Sequence, residues 1–88
     1  MGDWRIDGFT EIRELGRGAQ GRVVLARHER SGTPVAIKYL GAGADRSARE
    51  AFRREARLLG RVDDPHVARL YRLVEKAEGM ALGVEAVN

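Results

Sequence analysis

The hexapeptide GRGAQG (residues 16–21) is followed almost at once by the β-branched pair Val23 and Val24, and that order decides what its three glycines can do. A G-x-G-x-x-G run that cradles a dinucleotide has to open a helix, because the pyrophosphate rests on the helix N-terminus. Here strand formers follow, and no acidic residue closes a strand about 20 positions further on. The run is expected to be the turn of a β-hairpin. Glycine there gives free φ and lets backbone amides approach a polyphosphate unobstructed. A hairpin turn that binds nothing has the same pattern, so the loop alone does not decide function.

The remaining elements follow from periodicity and breakers. FTEIREL (9–15) alternates imperfectly and reads as a first strand, RVVLAR (22–27) as a second, and VAIKYL (35–40), after the turn cluster HERSGTP, as a third. GAGAD then breaks the chain. Ser47 and Glu50 fit the S-x-x-E capping box, which predicts a helix from Ser47 to Leu59 that stops at Gly60. A loop around Pro65, a fourth strand (67–75), a tight turn at KAEG and a fifth strand (80–87) complete the order β-β-β-α-β-β. That order predicts one α+β domain over residues 1–88, a five-stranded antiparallel sheet with one long helix.

With 88 residues the core has to be thin, although 43% hydrophobic and 33% charged residues lie outside the regime of disorder. The absence of cysteine excludes disulfides and thiolate metal sites. No apolar run approaches the ~20 residues of a membrane helix, and MGDWRIDGF lacks the regions of a signal peptide. No membrane segment is expected, and a cytoplasmic location is. Net charge is +3, carried by fourteen arginines and two lysines against thirteen acids, which permits an anionic ligand without demanding nucleic acid.

Two charged residues stand on apolar faces. Lys38 lies inside VAIKYL, on the sheet face that carries Ala36 and Leu40. Glu55 has Ala51, Phe52, Leu58 and Leu59 at helical spacing, within an expected apolar stripe of Ala48, Ala51, Phe52, Leu58 and Leu59, and no basic helical neighbour. Glu50, by contrast, has Arg46, Arg53 and Arg54 at that spacing and belongs to a solvated face. Each of the two odd charges, buried alone, would cost several kcal/mol. The economical arrangement is a buried Lys38–Glu55 ion pair beneath the sheet, near the glycine hairpin, with the ammonium left able to reach phosphate oxygens. A purely structural buried pair is the alternative.

Taken together, GRGAQGRV, VAIK and FRREARLL resemble the N-terminal lobe of the protein kinases, especially the bacterial serine/threonine kinases of eukaryotic type, over residues 9–88. By that resemblance, Gly16, Gly18 and Gly21, with Arg17, Ala19 and Gln20 between them, cover the phosphates of ATP. Lys38 holds the α- and β-phosphates, and Glu55 fixes Lys38. Leu15, Val23 and Ala36 form the upper wall of the adenine pocket. Val84 is the gatekeeper, and the backbones of Glu85 and Val87 bond adenine. ATP, with Mg2+, is the implied cofactor, and the hydroxyls of protein serine or threonine the implied acceptors.

Gln20 stands where many kinases carry an aromatic, and Gly83 and Ala86 replace bulkier residues near the hinge. The family's H-R-D-x-x-x-x-N and D-F-G motifs do not occur in these 88 residues. This chain alone is therefore expected not to catalyse, its C-terminal lobe lying outside the sequence. The same resemblance leaves room for an inactive regulatory lobe. Arg46, Arg49, Arg53 and Arg57 recur along one helix face as a nucleic-acid module would place them, but aromatics for stacking are few and no nucleic-acid partner is expected. The sheet surface near Leu82 and Val84 is expected to stay open, which would leave the isolated chain marginally stable.

Overall fold

The computed structural model describes residues 4–18, 21–61 and 70–85. Ala19, Gln20, the loop around Pro65, the first residues of the expected fourth strand, Ala86 and Val87 lie outside the described residues. Five strands and one helix follow in the expected order: β1 (Phe9–Arg17), β2 (Gly21–His28), β3 (Pro34–Gly41), α1 (Arg46–Arg61), β4 (Leu70–Lys76) and β5 (Gly79–Glu85). All pairings are antiparallel and the spatial order is β1-β2-β3-β5-β4. β5 therefore inserts between β3 and β4.

Strict alternation in β2 and β3 gives the sheet two different faces. Val24, Ala26, Val35, Ile37, Tyr39 and Ala81 are buried on one of them, and Ile6, Trp4 and Phe9 cover it. The Ile6 N–H donates to the Tyr39 hydroxyl at 3.2 Å, and the Trp4 ring meets Tyr39 edge-on at 5.1 Å. The Trp4 indole Nε1 is buried with no partner among the described residues. This segment is held by ring packing, by the buried Ile6, by its backbone and by the Arg5–Glu11 bridge. On the other face Leu40, Met80 and Leu82 pack against Phe52 and Ala56 of α1.

Four sequence expectations change here, the first being that the helix does not stop at Gly60 but runs to Arg61. The helix begins at Arg46, with Asp45 as its cap: the Ala48 N–H donates to Asp45 Oδ1 at 2.8 Å, in the bond that the Ser47–Glu50 box was expected to supply. Both residues are good caps, and the one nearer the Gly41–Ala44 turn, closed by an Ala44 N–H to Gly41 carbonyl bond of 3.1 Å, is used. The buried stripe of α1 runs through Phe52 and Ala56, while Ala51 and Leu58 are exposed. Leu82 is only 2% exposed, because Phe52 and Ala56 cover it, so the surface expected to stay open is closed at Leu82 and partly buried at Val84.

β1 departs from simple alternation at two bulges, between Glu11 and Arg13 and between Glu14 and Gly16. Ile12 and Leu15 are the extra residues at these bulges. Among the described residues, no helix is long and apolar enough to cross a membrane.

Candidate functional site

The register places Val23 opposite Lys38 and Lys38 opposite Leu82, with Leu25, Ala36 and Val84 forming the next row on the same face. α1 covers Leu40, Met80 and Leu82 on that face, while Lys38, opposite Leu82, is left exposed. Its Nζ lies 3.1 Å from Glu55 Oε2 and 5.9 Å from the centre of the Phe52 ring. The expected meeting of the two charges occurs.

The expected burial does not. The side chains of Lys38 and Glu55 are 47% and 45% exposed. Glu55 precedes the buried Ala56 by one residue, about 100° around the helix, and so sits on the flank of the packed stripe rather than at its centre. An ion pair this wet contributes about 0–1 kcal/mol to folding. A ligand can therefore recruit the ammonium without dismantling the lobe.

A cavity of about 530 Å³ lies between the glycine hairpin, the sheet and α1. Gly16, Arg17, Gly18, Gly21 and Val23 border it from above, and Lys38, Phe52 and Glu55 from the other sides. The Gly18 N–H donates to the Gly21 carbonyl at 2.8 Å, which closes the hairpin. Arg17 leans back onto Glu14 through a 2.6 Å bond from Nη2.

The glycines are not equivalent. A Cβ added at Gly21 would lie 1.9 Å from the Tyr39 carbonyl oxygen, so glycine there is demanded by the approach of β2 to β3. At Gly16 and Gly18 an added Cβ would meet nothing within 4 Å, and neither has a positive φ. Among the described residues, nothing requires glycine at those two positions. Both border the cavity.

Of the other sequence-derived site residues, Ala36 and Val84 pair with each other further along the same face and are partly buried. Glu85 ends β5 opposite Val35. Leu15, at the second bulge, is exposed and is not among the residues that border the cavity. Ala19, Gln20 and Val87 lie outside the described residues. The arginine stripe on α1 is interrupted: Arg53 Nε bonds Glu75 of β4 at 2.6 Å, and Arg49 Nε is buried.

Sequence reasoning missed the opposite side of this hairpin. Arg22, next to Gly21, is buried, and its guanidinium donates to Glu11 Oε1 at 2.7 Å and to the Trp4 carbonyl at 3.0 Å while lying 4.5 Å over the Tyr39 ring. The available signal was the alternation of Trp4 and Ile6 ahead of β1, which marks an apolar segment in need of a surface.

The protein kinase domain family matches residues 9–88, from the first residue of β1 onward. The chain belongs to the protein kinase family. It is the N-terminal lobe of such a domain, of the bacterial type. This kinase lobe is 39% identical over 86 residues to the serine/threonine-protein kinase pkn2 of Myxococcus xanthus, covering 94% of the chain and 10% of pkn2. It is 41% identical over 66 residues to the serine/threonine-protein kinase PknF of Mycobacterium tuberculosis, covering 73% of the chain and 14% of PknF. The human ephrin type-A receptor 6 matches at 40% over 77 residues, covering 84% of the chain and 7% of the receptor. The lobe thus spans a small fraction of each relative's length.

Proposed function

We propose that this chain is the ATP-binding lobe of a serine/threonine protein kinase, receiving the phosphates of ATP, with Mg2+, between the glycine hairpin and Lys38. The observation that carries the reading is the Lys38–Glu55 pair, 3.1 Å long and half exposed, at the border of the cavity under the hairpin. An ammonium has three donors, and its bond to Glu55 Oε2 leaves two for phosphate oxygens. Glu55 thus orients Lys38 without consuming it.

The residues present fit a polyphosphate. Gly16 and Gly18 leave open space where side chains would stand, so their backbones can come close to phosphate oxygens. Val23, Ala36 and Val84 offer apolar surface to a purine, and the backbones of Glu85 and Val87 are the proposed partners of its polar edge. When bound, ATP supplies the phosphoryl group that passes to a protein serine or threonine hydroxyl. Orienting that hydroxyl and holding the metal call for the family's aspartate motifs, which these 88 residues do not contain. Transfer is accordingly proposed for a longer protein that supplies them.

Lys38→Met tests the reading. The chain should bind MgATP, and the variant should bind it at least tenfold more weakly while its melting temperature moves by less than about 5 °C, since an exposed pair is worth no more than about 1 kcal/mol. In a protein carrying both lobes, turnover should fall by about 10²–10³, the usual effect of removing one preorganised charge. Undiminished turnover would take Lys38 out of the mechanism, and a wild-type chain that ignores millimolar MgATP would sink the nucleotide reading.

A further inference from the structure

The segment Trp4 to Ile6 lies ahead of the family match, which starts at residue 9, yet it is tied to the two strand positions that adjoin the proposed nucleotide site. Arg22 directly follows Gly21 of the hairpin, Tyr39 directly follows Lys38, and the two face each other across β2 and β3. The Trp4 carbonyl accepts from Arg22 Nη2 at 3.0 Å, and the Ile6 N–H donates to the Tyr39 hydroxyl at 3.2 Å. Glu11 of β1 holds Arg22 Nη1 at 2.7 Å and Arg5 Nε at 3.1 Å. The Arg22 guanidinium lies over the Tyr39 ring, which closes the network.

Neighbouring residues in a strand point to opposite faces, so this network and the cavity are back to back across one layer of backbone. Fixing Arg22 fixes the peptide it shares with Gly21. At that point β2 approaches β3 so closely that a Cβ would collide with the Tyr39 carbonyl. The hairpin's own closure, the Gly18 N–H to Gly21 carbonyl bond, ends on the residue thus pinned. Gly21, which closes the hairpin by accepting from Gly18, is therefore anchored from the far face.

We infer that Trp4–Ile6 is a strap that sets the position of the glycine flap through Arg22 and Tyr39, with Arg22 a positioning residue for nucleotide retention. The retention half rests on the proposed ATP site; the mechanical half does not. Arg22 borders the cavity, but its guanidinium is committed to Glu11 and the Trp4 carbonyl, so it acts through Gly21.

Three variants of the full chain test this. Arg22→Lys keeps a positive charge but loses the planar fork that bonds Glu11 and the Trp4 carbonyl together. Tyr39→Phe keeps the ring and removes the acceptor for Ile6. Val35→Ala weakens the same buried cluster without touching the strap's bonds. Solvent exchange of the Gly18 amide, followed by NMR, should quicken by about tenfold in the first two variants, the size of one lost hydrogen bond. MgATP affinity should fall by about three- to tenfold in both. Val35→Ala, at an equal or larger loss of melting temperature, should leave both readouts within about twofold of wild type.

An unchanged Gly18 exchange rate in Arg22→Lys and Tyr39→Phe, or an equal change in Val35→Ala, would overturn the strap. Faster exchange with unaltered MgATP affinity would overturn its coupling to the nucleotide. Should the wild-type chain bind no MgATP, the ATP reading fails while the exchange rates still decide the strap.

Discussion

Two ion pairs of similar length hold opposite sides of one sheet. Arg22–Glu11, at 2.7 Å, has side chains 6% and 16% exposed; Lys38–Glu55, at 3.1 Å, has them 47% and 45% exposed. The first is roofed by Trp4 and stacked on Tyr39, and it also satisfies a backbone carbonyl. The second stands in the mouth of a cavity. Chemical similarity does not make them equivalent, because the dielectric around a pair, more than its length, sets what it is worth. The dry pair belongs to the architecture. The wet pair is loosely committed to the fold, which suits the role proposed for Lys38.

The largest test of this contrast removes one carboxylate from each pair. Glu11→Ala should destabilise the lobe by about 3 kcal/mol or more, since it leaves a guanidinium buried beside an empty site. Glu55→Ala should shift stability by less than about 1 kcal/mol. Chemical denaturation of both variants measures the gap, and equal costs would erase the distinction between the faces.

A smaller effect separates the glycines that border the cavity. Gly21→Ala, with its Cβ driven into the Tyr39 carbonyl, should cost about 2 kcal/mol, whereas Gly18→Ala should stay within about 0.5 kcal/mol in stability and show itself only in MgATP affinity. Thermal melts paired with nucleotide titrations check both.

The smallest effect is a pH dependence confined to the closed face. Burial pushes the Tyr39 hydroxyl above the ordinary tyrosine value of 10.0, with the Ile6 N–H bond pulling the other way. Above pH ~10 the unfolded chain therefore gives up this proton more readily than the folded one. The stability Tyr39 contributes is complete below that pH and is lost as pH rises through its raised folded value. Melts between neutral and strongly alkaline pH should fall more steeply for wild type than for Tyr39→Phe; identical slopes would show that this hydroxyl does not titrate with folding.

Most of the architecture was readable from local signals. The valines after the glycine run gave the hairpin, and the order of strand and helix formers gave the sheet with its single helix. Lys38 and Glu55 were found as charges lacking local partners, and they do meet. Their exposure was not readable, because it depends on how far α1 slides along the sheet, and Phe52 with Ala56 set that position rather than the wider stripe of Ala51 and Leu58. The helix start was ambiguous between two capping side chains two residues apart. Arg22 was one of fourteen arginines and carried no mark in sequence that it would be buried.

The insertion of β5 between β3 and β4 has a consequence for the chain as it leaves the ribosome. β1, β2 and β3 are consecutive, and their cover over Ile37 and Tyr39 comes from residues made even earlier. The other edge of β3 gains its neighbour only once residues 79–85 have been synthesised, since Leu40 pairs with Met80 and Lys38 with Leu82. Until then Phe52 and Ala56 lack two of the side chains they pack on. A nascent chain stalled before Gly79 thus lacks the strand that pairs with one edge of β3 and part of the surface on which α1 packs.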